Sequence, residues 1–393
     1  MALTEIFLGV ICGIGLGTFT GLIPVIHVNL VSVLLVALPF DPLFLSIAII
    51  AMAVTHSILD TLPSIFLGAP DPAVVMSVLP GHKLLHEGKG SRAVLLTVIG
   101  SLSGLLMALL LLPLLGLFIS FGTGFIRPFL FWILLAILLF LILKENSIKK
   151  KVWASVVFFL SGFLGMVVFS THLKNALFPL LSGMFGASGL LLTPKGASIP
   201  NQKSAGKKAE SRSIIKTTLA SVLACSTTIL FPGLGPSQGA AISSSFFATT
   251  QAEDYLLLVG SMSTVDVIMS FAAWFAVGRA RNGAVVVLKS LGLFTPVKLV
   301  LYAGVMLFAS GLAAIAALLL IKVFSRLVSR ISYPLICRLI IFFLVIMTFW
   351  LCGWYGLIVF IISTAIGLIP QITGCSRAHA MGCLLLTILI SSL

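Results

Sequence analysis

Charged residues are scarce in this chain of 393 residues. Asp, Glu, Lys and Arg together make up 9% of the sequence, and only ten residues are acidic. A soluble domain of this length needs much more polar surface to stay in water. The shortage therefore excludes a water-soluble enzyme or binding domain. The net charge of +14 comes from Lys and Arg in short loops between apolar runs, which favours contact with anionic lipid headgroups over contact with nucleic acid.

Cysteine is also scarce, and none of the six cysteines forms a C-x-x-C pair. Most of them lie within apolar runs, where a cysteine packs as a small apolar residue. Their scatter argues against a metal cluster and against a disulfide framework. We therefore expect no metal site and no organic cofactor. The six are Cys12, Cys225, Cys337, Cys352, Cys375 and Cys383.

Apolar residues, by contrast, make up 60% of the chain, and the mean hydropathy is +1.23. A helix needs about 20 apolar residues to cross a bilayer. The chain offers many stretches of this kind, such as Ile99–Phe118 and Val152–Phe169. The composition predicts an all-α polytopic protein that contacts membrane lipids and crosses the cell (cytoplasmic) membrane several times.

The sequence resembles itself at an offset of roughly 205 residues, as duplicated transporter folds do. Thr20–Pro24 aligns with Thr228–Pro232, and Asp41 aligns near Glu253-Asp254. Further matches follow in the same order at nearly the same offset. Single matches are common between leucine-rich segments, but an ordered series is not. The pattern predicts two related halves.

The positions of Lys and Arg predict how the halves are related. The first-half loop Lys144–Lys151 is rich in lysine, whereas its counterpart Leu351–Gly356 carries no charge. Cytoplasmic loops carry the excess of Lys and Arg, so equivalent loops should lie on opposite sides of the membrane. We predict two inverted-topology repeats of about five helices each, with broken or re-entrant helices. They comprise residues 1–192 and 217–393, joined by a polar cytoplasmic linker at 193–216.

Two segments at equivalent positions combine glycine with proline inside apolar runs: Gly13–Asn29 and Cys225–Gly239. Proline removes a backbone donor, so each segment should break within the membrane. The half-helix after each break directs unpaired N–H groups and a positive dipole end towards the cavity, which favours an anion. We predict an anion-binding site formed by Gly21, Pro24, His27 and Asn29 in the first half, and by Pro232, Gly233, Gly235, Pro236, Ser237 and Gln238 in the second.

Two aspartates lie inside hydrophobic segments, whereas the other eight acidic residues lie at segment ends or in loops. Asp60 follows His56 by one helical turn, and Asp266 follows Ser263 and Thr264. A charge at membrane depth costs at least about 2.5 kcal/mol, so such residues are usually paired and functional. We predict that these five residues bind a coupling Na⁺ or H⁺. The alternative is a structural role, in which the two aspartates hold helices together through hydrogen bonds.

Two loops stand out, Gly68–Arg92 and Gly278–Lys298. The first mixes Pro, Gly and charge with apolar residues and cannot span a membrane, so it should be re-entrant or lie at the interface. A third pattern, Gly186-Ala-Ser-Gly189, has the form of an intramembrane serine protease motif. Nothing in the sequence brings a histidine to that serine, and small residues also pack membrane helices without catalysis. We therefore expect no enzyme activity.

The Gly-rich opening Gly13–Pro24, the stretch Pro63–Asp71, and the motifs Val78-Leu-Pro-Gly-His-Lys83 and Pro232-Gly-Leu-Gly-Pro236 resemble the large permease subunit of tripartite tricarboxylate transporters, the TctA family. The resemblance covers nearly the whole chain and is closest to a short branch seen in archaea. It implies ion-driven uptake of citrate-like di- and tricarboxylates. It also implies a small membrane subunit and an extracytoplasmic binding protein as partners. The first-half motif departs from the family, because it has Gly-Leu-Ile-Pro where a Pro-Gly pair is common.

Together these features predict a secondary active transporter that moves a small organic anion, coupled to Na⁺ or H⁺. Three alternatives stay open at this point. The cargo could be an anionic lipid headgroup such as a polyprenyl phosphate, since paired broken helices accept phosphate as readily as carboxylate. An intramembrane enzyme and a passive channel are the other two. The sequence does not indicate the oligomeric state.

Overall fold

The computed structural model describes residues 2–23, 28–68, 78–171, 173, 175–192, 200–202, 210–230, 236, 239–240, 243, 251–292, 295–330 and 333–391. Within these ranges the regular structure is helical, and no strand occurs. In the described part of the chain, seven helical spans are long and apolar enough to cross a membrane. The prediction of an all-α polytopic membrane protein is therefore confirmed.

The first half of the chain contains eleven named α-helices. They are α1 (Ala2–Leu22), α2 (Val28–Val36), α3 (Pro42–Leu59), α4 (Thr61–Leu67), α5 (Val78–His86), α6 (Gly90–Leu110), α7 (Leu112–Ile126), α8 (Leu130–Leu143), α9 (Ile148–Ser170), α10 (Leu177–Leu181) and α11 (Ser188–Leu191). A π-helical segment, Ser182–Ala187, joins the last two.

The described helices of the second half are longer. They are α12 (Ser211–Thr228), α13 (Ala252–Val277), α14 (Gly283–Ser290), α15 (Pro296–Arg330), α16 (Tyr333–Thr373) and α17 (Gly382–Ser391). Helix α16 is bent at Gly353, whose φ of 63° is readily adopted only by glycine. This bend lies inside the uncharged loop expected from the sequence at Leu351–Gly356.

Helices α1 and α3 pack through a line of glycines spaced four residues apart. A Cβ at Gly9 would lie 3.1 Å from Phe44 O, one at Gly17 would lie 2.7 Å from Met52 O, and one at Gly21 would lie 3.1 Å from His56 O. Small residues at this spacing let membrane helices approach closely. Residue numbers rise together along both helices, so α1 and α3 run parallel. The chain must therefore return across the fold between them.

Helices α6 and α13 form the corresponding contact between the two halves of the sequence. A Cβ at Gly100 would overlap Leu257 O, one at Gly104 would overlap Ser261 Oγ, and one at Gly260 would overlap Thr97 O. The Ser101 hydroxyl donates to Gly260 O at 2.9 Å across the same contact. Here too the residue numbers rise together, so α6 and α13 run parallel.

Helices α3 and α4 together run antiparallel to α6. Thr97 Oγ1 lies 3.2 Å from Thr61 Oγ1, whereas a Cβ at Gly90 would lie 3.2 Å from the Phe66 ring. Residue numbers therefore rise along one helix and fall along the other. Since α6 and α13 are parallel, α3 and α13 run in opposite directions. Helix α12 runs parallel to α13, because Ser221 contacts Leu258 O and Cys225 contacts Met262 O.

The buried apolar side chains form one main core and two smaller clusters. The main core takes side chains from α1 to α7 and from α12 to α15, with a few from α11 and α16. A second cluster joins α9, α10 and the π-helical segment to the last part of α16 and to the chain that follows it. Each of these two therefore draws on both halves of the sequence. Large apolar side chains such as Phe121 (79% exposed) and Trp350 (72% exposed) lie on the outside, as expected of a surface in contact with lipid.

Candidate functional site

Asp60 lies at an interruption between α3 and α4. It is 2% exposed, and its backbone N–H donates to His56 O at 2.9 Å. Three residues later Pro63 has no N–H, so it cannot donate to Leu59 O, and the helix is interrupted at this point. A carboxylate is thus held where a transmembrane helix is locally irregular.

The end of α1 packs against this interruption. His56 Nδ1 and Thr20 Oγ1 form a buried hydrogen bond of 3.1 Å. A Cβ at Gly21 would lie 2.9 Å from Leu59 Cβ and 3.3 Å from Asp60 N, so only glycine allows this approach. Helix α1 ends at Leu22 and α2 begins at Val28. Asp60 and His56 therefore lie beside the first predicted break.

Asp266 lies on α13 and contacts the loop that follows this helix. Asn282 Nδ2 donates to Asp266 Oδ2 at 3.2 Å. The backbone N–H groups of Arg281 and Asn282 both donate to Ser270 Oγ at 2.8 Å. Gly278, with φ of 67°, ends α13 and lets the chain turn back. The loop is therefore tied to the same helix that carries Asp266.

The Arg281 side chain reaches from this loop to the end of α12. Its Nη1 donates to Thr228 O at 2.6 Å. Thr228 is the last residue of α12, immediately before the second predicted break. Burial lowers the pKa of Arg281 to about 10, and the nearby Asp266 opposes that shift. The guanidinium is therefore still a cation at neutral pH, and it lies beside a helix break.

Asn29, from the first half of the chain, contacts the segment that follows Arg281 and Asn282. A Cβ at Gly283 would overlap the Asn29 side chain. Gly283 is the first residue of α14 and follows Asn282 directly. The start of α2, after the first break, therefore contacts the loop that carries Arg281 and Asn282 in the second half.

The two aspartates lie at different depths. Asp60 precedes Thr61, which contacts Thr97, and Thr97 in turn packs against Gly260 of α13. Asp266 is six residues further along α13, a rise of about 9 Å. The structure thus places two separate carboxylates at different levels of the helix bundle, each near a different predicted break.

The remaining predicted residues differ in what they contact. Ser263 Oγ donates to Val259 O at 3.2 Å within its own helix, and Thr264 Oγ1 donates to Ser101 O at 2.8 Å across the α6–α13 contact. Pro236 is half-buried. No three His, Cys, Asp or Glu side chains within the described residues are grouped to hold a metal ion. Seven predicted residues lie outside the described residues: Pro24, His27, Pro232, Gly233, Gly235, Ser237 and Gln238.

The protease-like motif contacts an arginine. Ser188 Oγ donates to Met184 O at 2.6 Å and accepts from Arg377 Nη2 at 2.9 Å. The nearby histidine of the sequence, His379, contacts Glu145 Oε1 through its Nε2 at 3.0 Å. Serine and histidine are thus engaged with different partners.

Sequence reasoning missed Arg281, Asn282 and Ser270 as members of the site. The loop Gly278–Lys298 was singled out in the sequence, but none of its residues was predicted to bind the ion or the anion. Its position at the end of the helix that carries Asp266 was the available signal. A loop tied back to such a helix brings its own polar side chains to the aspartate.

Comparison with known proteins agrees with this picture. The sequence model of the tripartite tricarboxylate transporter TctA family matches residues 7–382. The uncharacterized protein MJ1079 of Methanocaldococcus jannaschii is 28% identical over 395 residues, which cover 98% of this chain and 97% of that protein. No solved structure matches the chain. The match over nearly the whole length confirms the resemblance seen in the sequence motifs: the chain belongs to the tripartite tricarboxylate transporter TctA family.

Proposed function

We propose that this protein is the permease of a secondary active transporter in the cell membrane, and that it moves a small organic anion of the di- or tricarboxylate class coupled to Na⁺ or H⁺. Membership of a transporter family supports the general activity. The observation that carries the finer proposal is the position of buried Asp60 beside the first predicted break and of half-buried Asp266 near the second, with the Arg281 guanidinium at the end of α12.

The anion would bind between the two breaks. Helix α2 begins directly after the first break, and its N-terminal N–H groups have no partner within the helix. Asn29 lies in its first turn and can add a donor. Together with the residues predicted at the second break, it would hold a carboxylate as helix N-termini hold anions elsewhere.

The coupling cation would bind at Asp60, at Asp266, or at both. A buried carboxylate is costly as an anion, and either Na⁺ or H⁺ neutralises it. His56 lies one turn before Asp60 and shares a hydrogen bond with Thr20 of α1. Cation binding at Asp60 would therefore act on the contact between α1 and α3, which is one way to link ion occupancy to a conformational step.

An inverted repeat would supply the two access states. The opposite directions of α3 and α13 support this interpretation, because these helices occupy equivalent places in the two halves of the sequence. So do their contacts: α3 and the following α4 pack on α15, where the rings of Phe66 of α4 and Phe324 lie 5.8 Å apart, and α13 packs on α6. Equivalent helices thus exchange partners between the halves, as expected for repeats related by a pseudo-two-fold axis.

Partner subunits form part of the proposal. The name of the family describes a tripartite assembly, so we expect a small membrane subunit and an extracytoplasmic binding protein that delivers the anion. The experiments below use the permease alone at high anion concentration, and then together with the two expected partner subunits.

The test is uptake of radiolabelled citrate and succinate into proteoliposomes under imposed Na⁺ and pH gradients. Asp60→Asn and Asp266→Asn should each reduce gradient-driven uptake by about tenfold or more, the range of a coupling free energy of 1–3 kcal/mol. Asp41→Asn is the matched control. Asp41 caps α3 through Leu43 N and Phe44 N, and asparagine caps as well as aspartate, so uptake should not change.

Two outcomes would count against the proposal. Uptake that survives both Asp60→Asn and Asp266→Asn at the wild-type rate would remove these residues from ion coupling. If no di- or tricarboxylate accumulates with any gradient or partner, while a labelled polyprenyl phosphate crosses the bilayer, the cargo is an anionic lipid headgroup and the substrate class is wrong.

A further inference from the structure

The Arg281 guanidinium has more donors than its described contacts use. A guanidinium carries five N–H donors in a flat fork that matches a carboxylate. Within the described residues, one hydrogen bond from this side chain is present, from Nη1 to Thr228 O at 2.6 Å. The side chain lies where α12 ends and the second break begins, so its other donors are available to a ligand at the break.

The backbone beneath this side chain is held firmly. Ser270 is fully buried and accepts from the backbone N–H groups of both Arg281 and Asn282 at 2.8 Å. Asn282 Oδ1 in turn accepts from Ala284 N at 3.1 Å and caps α14. Because the backbone is already rigid here, a ligand that binds to Arg281 loses less free energy to ordering the loop.

The nearest carboxylate is close to Arg281 without pairing with it. Asp266 Oδ2 accepts from Asn282 Nδ2 at 3.2 Å, and the charges of Asp266 and Arg281 attract each other at longer range. None of the ion pairs within 4.0 Å in the described part of the chain includes Arg281. The Arg281 guanidinium therefore lies near the Asp266 carboxylate without forming an ion pair with it.

We propose that Arg281 binds a carboxylate of the transported anion, and that ionised Asp266 weakens this binding until Na⁺ or H⁺ neutralises it. The inference rests on the proposed function and deepens it by naming the anion-binding side chain. With Asp266 ionised, the two charges of the site nearly cancel, and an anion gains little by entering. With Asp266 neutralised, the cationic fork is uncompensated and attracts the anion. Cation and anion therefore favour each other's binding reciprocally.

Within the described residues, few other charged or titratable groups interact with Asp266. Helix α12 contributes the Cys225 thiol, and the loop contributes Arg281. Asp60 lies about 9 Å away along the helix axes. Asp266 is thus the acidic group whose charge most directly opposes an anion at Arg281.

A purely structural role for Arg281 makes a different prediction. As a cap for the last carbonyls of α12, a lysine would serve nearly as well, because cations near a helix C-terminus interact favourably with its carbonyls. If Arg281 binds a carboxylate through two parallel hydrogen bonds, a lysine could not replace it, because a lysine cannot form both bonds. The Arg281→Lys variant therefore separates the two roles.

The first experiment measures citrate and succinate binding to the purified full-length protein by the shift in melting temperature, at saturating Na⁺ and at low pH. Arg281→Lys and Arg281→Gln should raise the apparent Kd by about tenfold or more, the equivalent of 1.4 kcal/mol. Arg279→Gln, on the same loop, should leave the Kd unchanged. If Arg281→Gln does not fold, Arg281→Lys alone carries the test. An unchanged Kd in Arg281→Lys overturns the inference.

The second experiment tests the competition with Asp266. At pH 8, where citrate is fully ionised, Na⁺ should raise the citrate affinity of Asp266→Asn much less than that of the wild type, and adding Arg281→Gln should abolish citrate binding to Asp266→Asn. A rise with Na⁺ that is as large in Asp266→Asn as in the wild type overturns the inference. Wild-type uptake separates this failure from that of the proposed function. If the wild type shows gradient-driven uptake and Arg281→Lys binds the anions as tightly as the wild type does, only the inference is refuted. If the wild type neither binds nor accumulates either anion, both the inference and the proposed function are refuted.

Discussion

At the scale of single residues, the contact between α1 and α3 depends on the absence of side chains. A Cβ at Gly13 would overlap Ala48 O and would lie 2.7 Å from Ala51 Cβ. Backbone oxygen cannot move aside as the end of a flexible side chain can. Gly15, two residues along, has open space where its Cβ would be. The same helix therefore offers a sensitive position and an insensitive one.

We expect Gly13→Ala to destabilise the protein by about 1–3 kcal/mol, the usual cost of forcing a methyl group into a filled interface. Gly15→Ala should be neutral or slightly stabilising, since alanine is the better helix former. Melting temperatures of the two variants in the same detergent test this. Equal melting temperatures would mean that α1 does not pack on α3 through this glycine face.

Single residues also show where sequence reasoning works and where it stops. Asp60 and Asp266 could be singled out as candidates because a charge inside an apolar run is costly and therefore noticeable. Arg281 could not, because an arginine in a loop is ordinary, and its position near Asp266 comes from a fold that ties the loop to Ser270. The interruption at Asp60 could have been inferred from Pro63, which removes a helical hydrogen bond three residues later.

At the scale of elements, α6 and α13 join the two halves of the sequence through small residues and one ion pair. Arg92 Nη2 contacts Glu253 Oε2 at 2.9 Å near the N-terminal ends of both helices. The Arg92 side chain is 11% exposed and that of Glu253 is 38% exposed. Beside it, the pair of Lys89 and Glu87 is 50% and 40% exposed. The two pairs differ mainly in burial and in whether they join two helices.

A double-mutant cycle with Arg92→Gln and Glu253→Gln should give a coupling free energy of about 1–2 kcal/mol, because a partly buried pair is screened less than an exposed one. The same cycle with Lys89→Gln and Glu87→Gln should give less than about 1 kcal/mol. Apparent unfolding free energies in detergent provide both values. Coupling no larger for the first pair than for the second would show that Arg92 and Glu253 do not hold α6 against α13.

The elements themselves were only partly predictable. The two Pro/Gly segments were predicted to break the helices, and in the described residues α1 ends at Leu22 within the first segment and α12 ends at Thr228 within the second. The pairing of α6 with α13 was not predictable, since Gly100 and Gly260 are two glycines among 35 in the sequence. Which glycines meet depends on the fold of the whole chain, because glycine alone carries no information about its partner.

At the scale of the whole molecule, the two halves are interleaved rather than side by side. Helices from both halves share the main core and the second cluster, and α3 and α13 run in opposite directions. Inversion of the repeats explains both this arrangement and the unequal distribution of Lys and Arg between equivalent loops. The inverted repeat stays a prediction. It requires that equivalent loops of the two halves face opposite sides of the membrane.

Two equivalent loops should therefore react from opposite sides of the membrane. Asn146 is exposed in the lysine-rich loop between α8 and α9, and Tyr355, at the bend of α16, is 78% exposed. In a variant with the native cysteines replaced, Tyr355→Cys should react with a membrane-impermeant maleimide in intact cells. Asn146→Cys should react only after permeabilisation, because the lysines beside it favour the cytoplasmic side. Direct repeats would place both cysteines on the same side, so identical labelling of the two variants in intact cells would exclude inversion and, with it, symmetric exchange between outward and inward states.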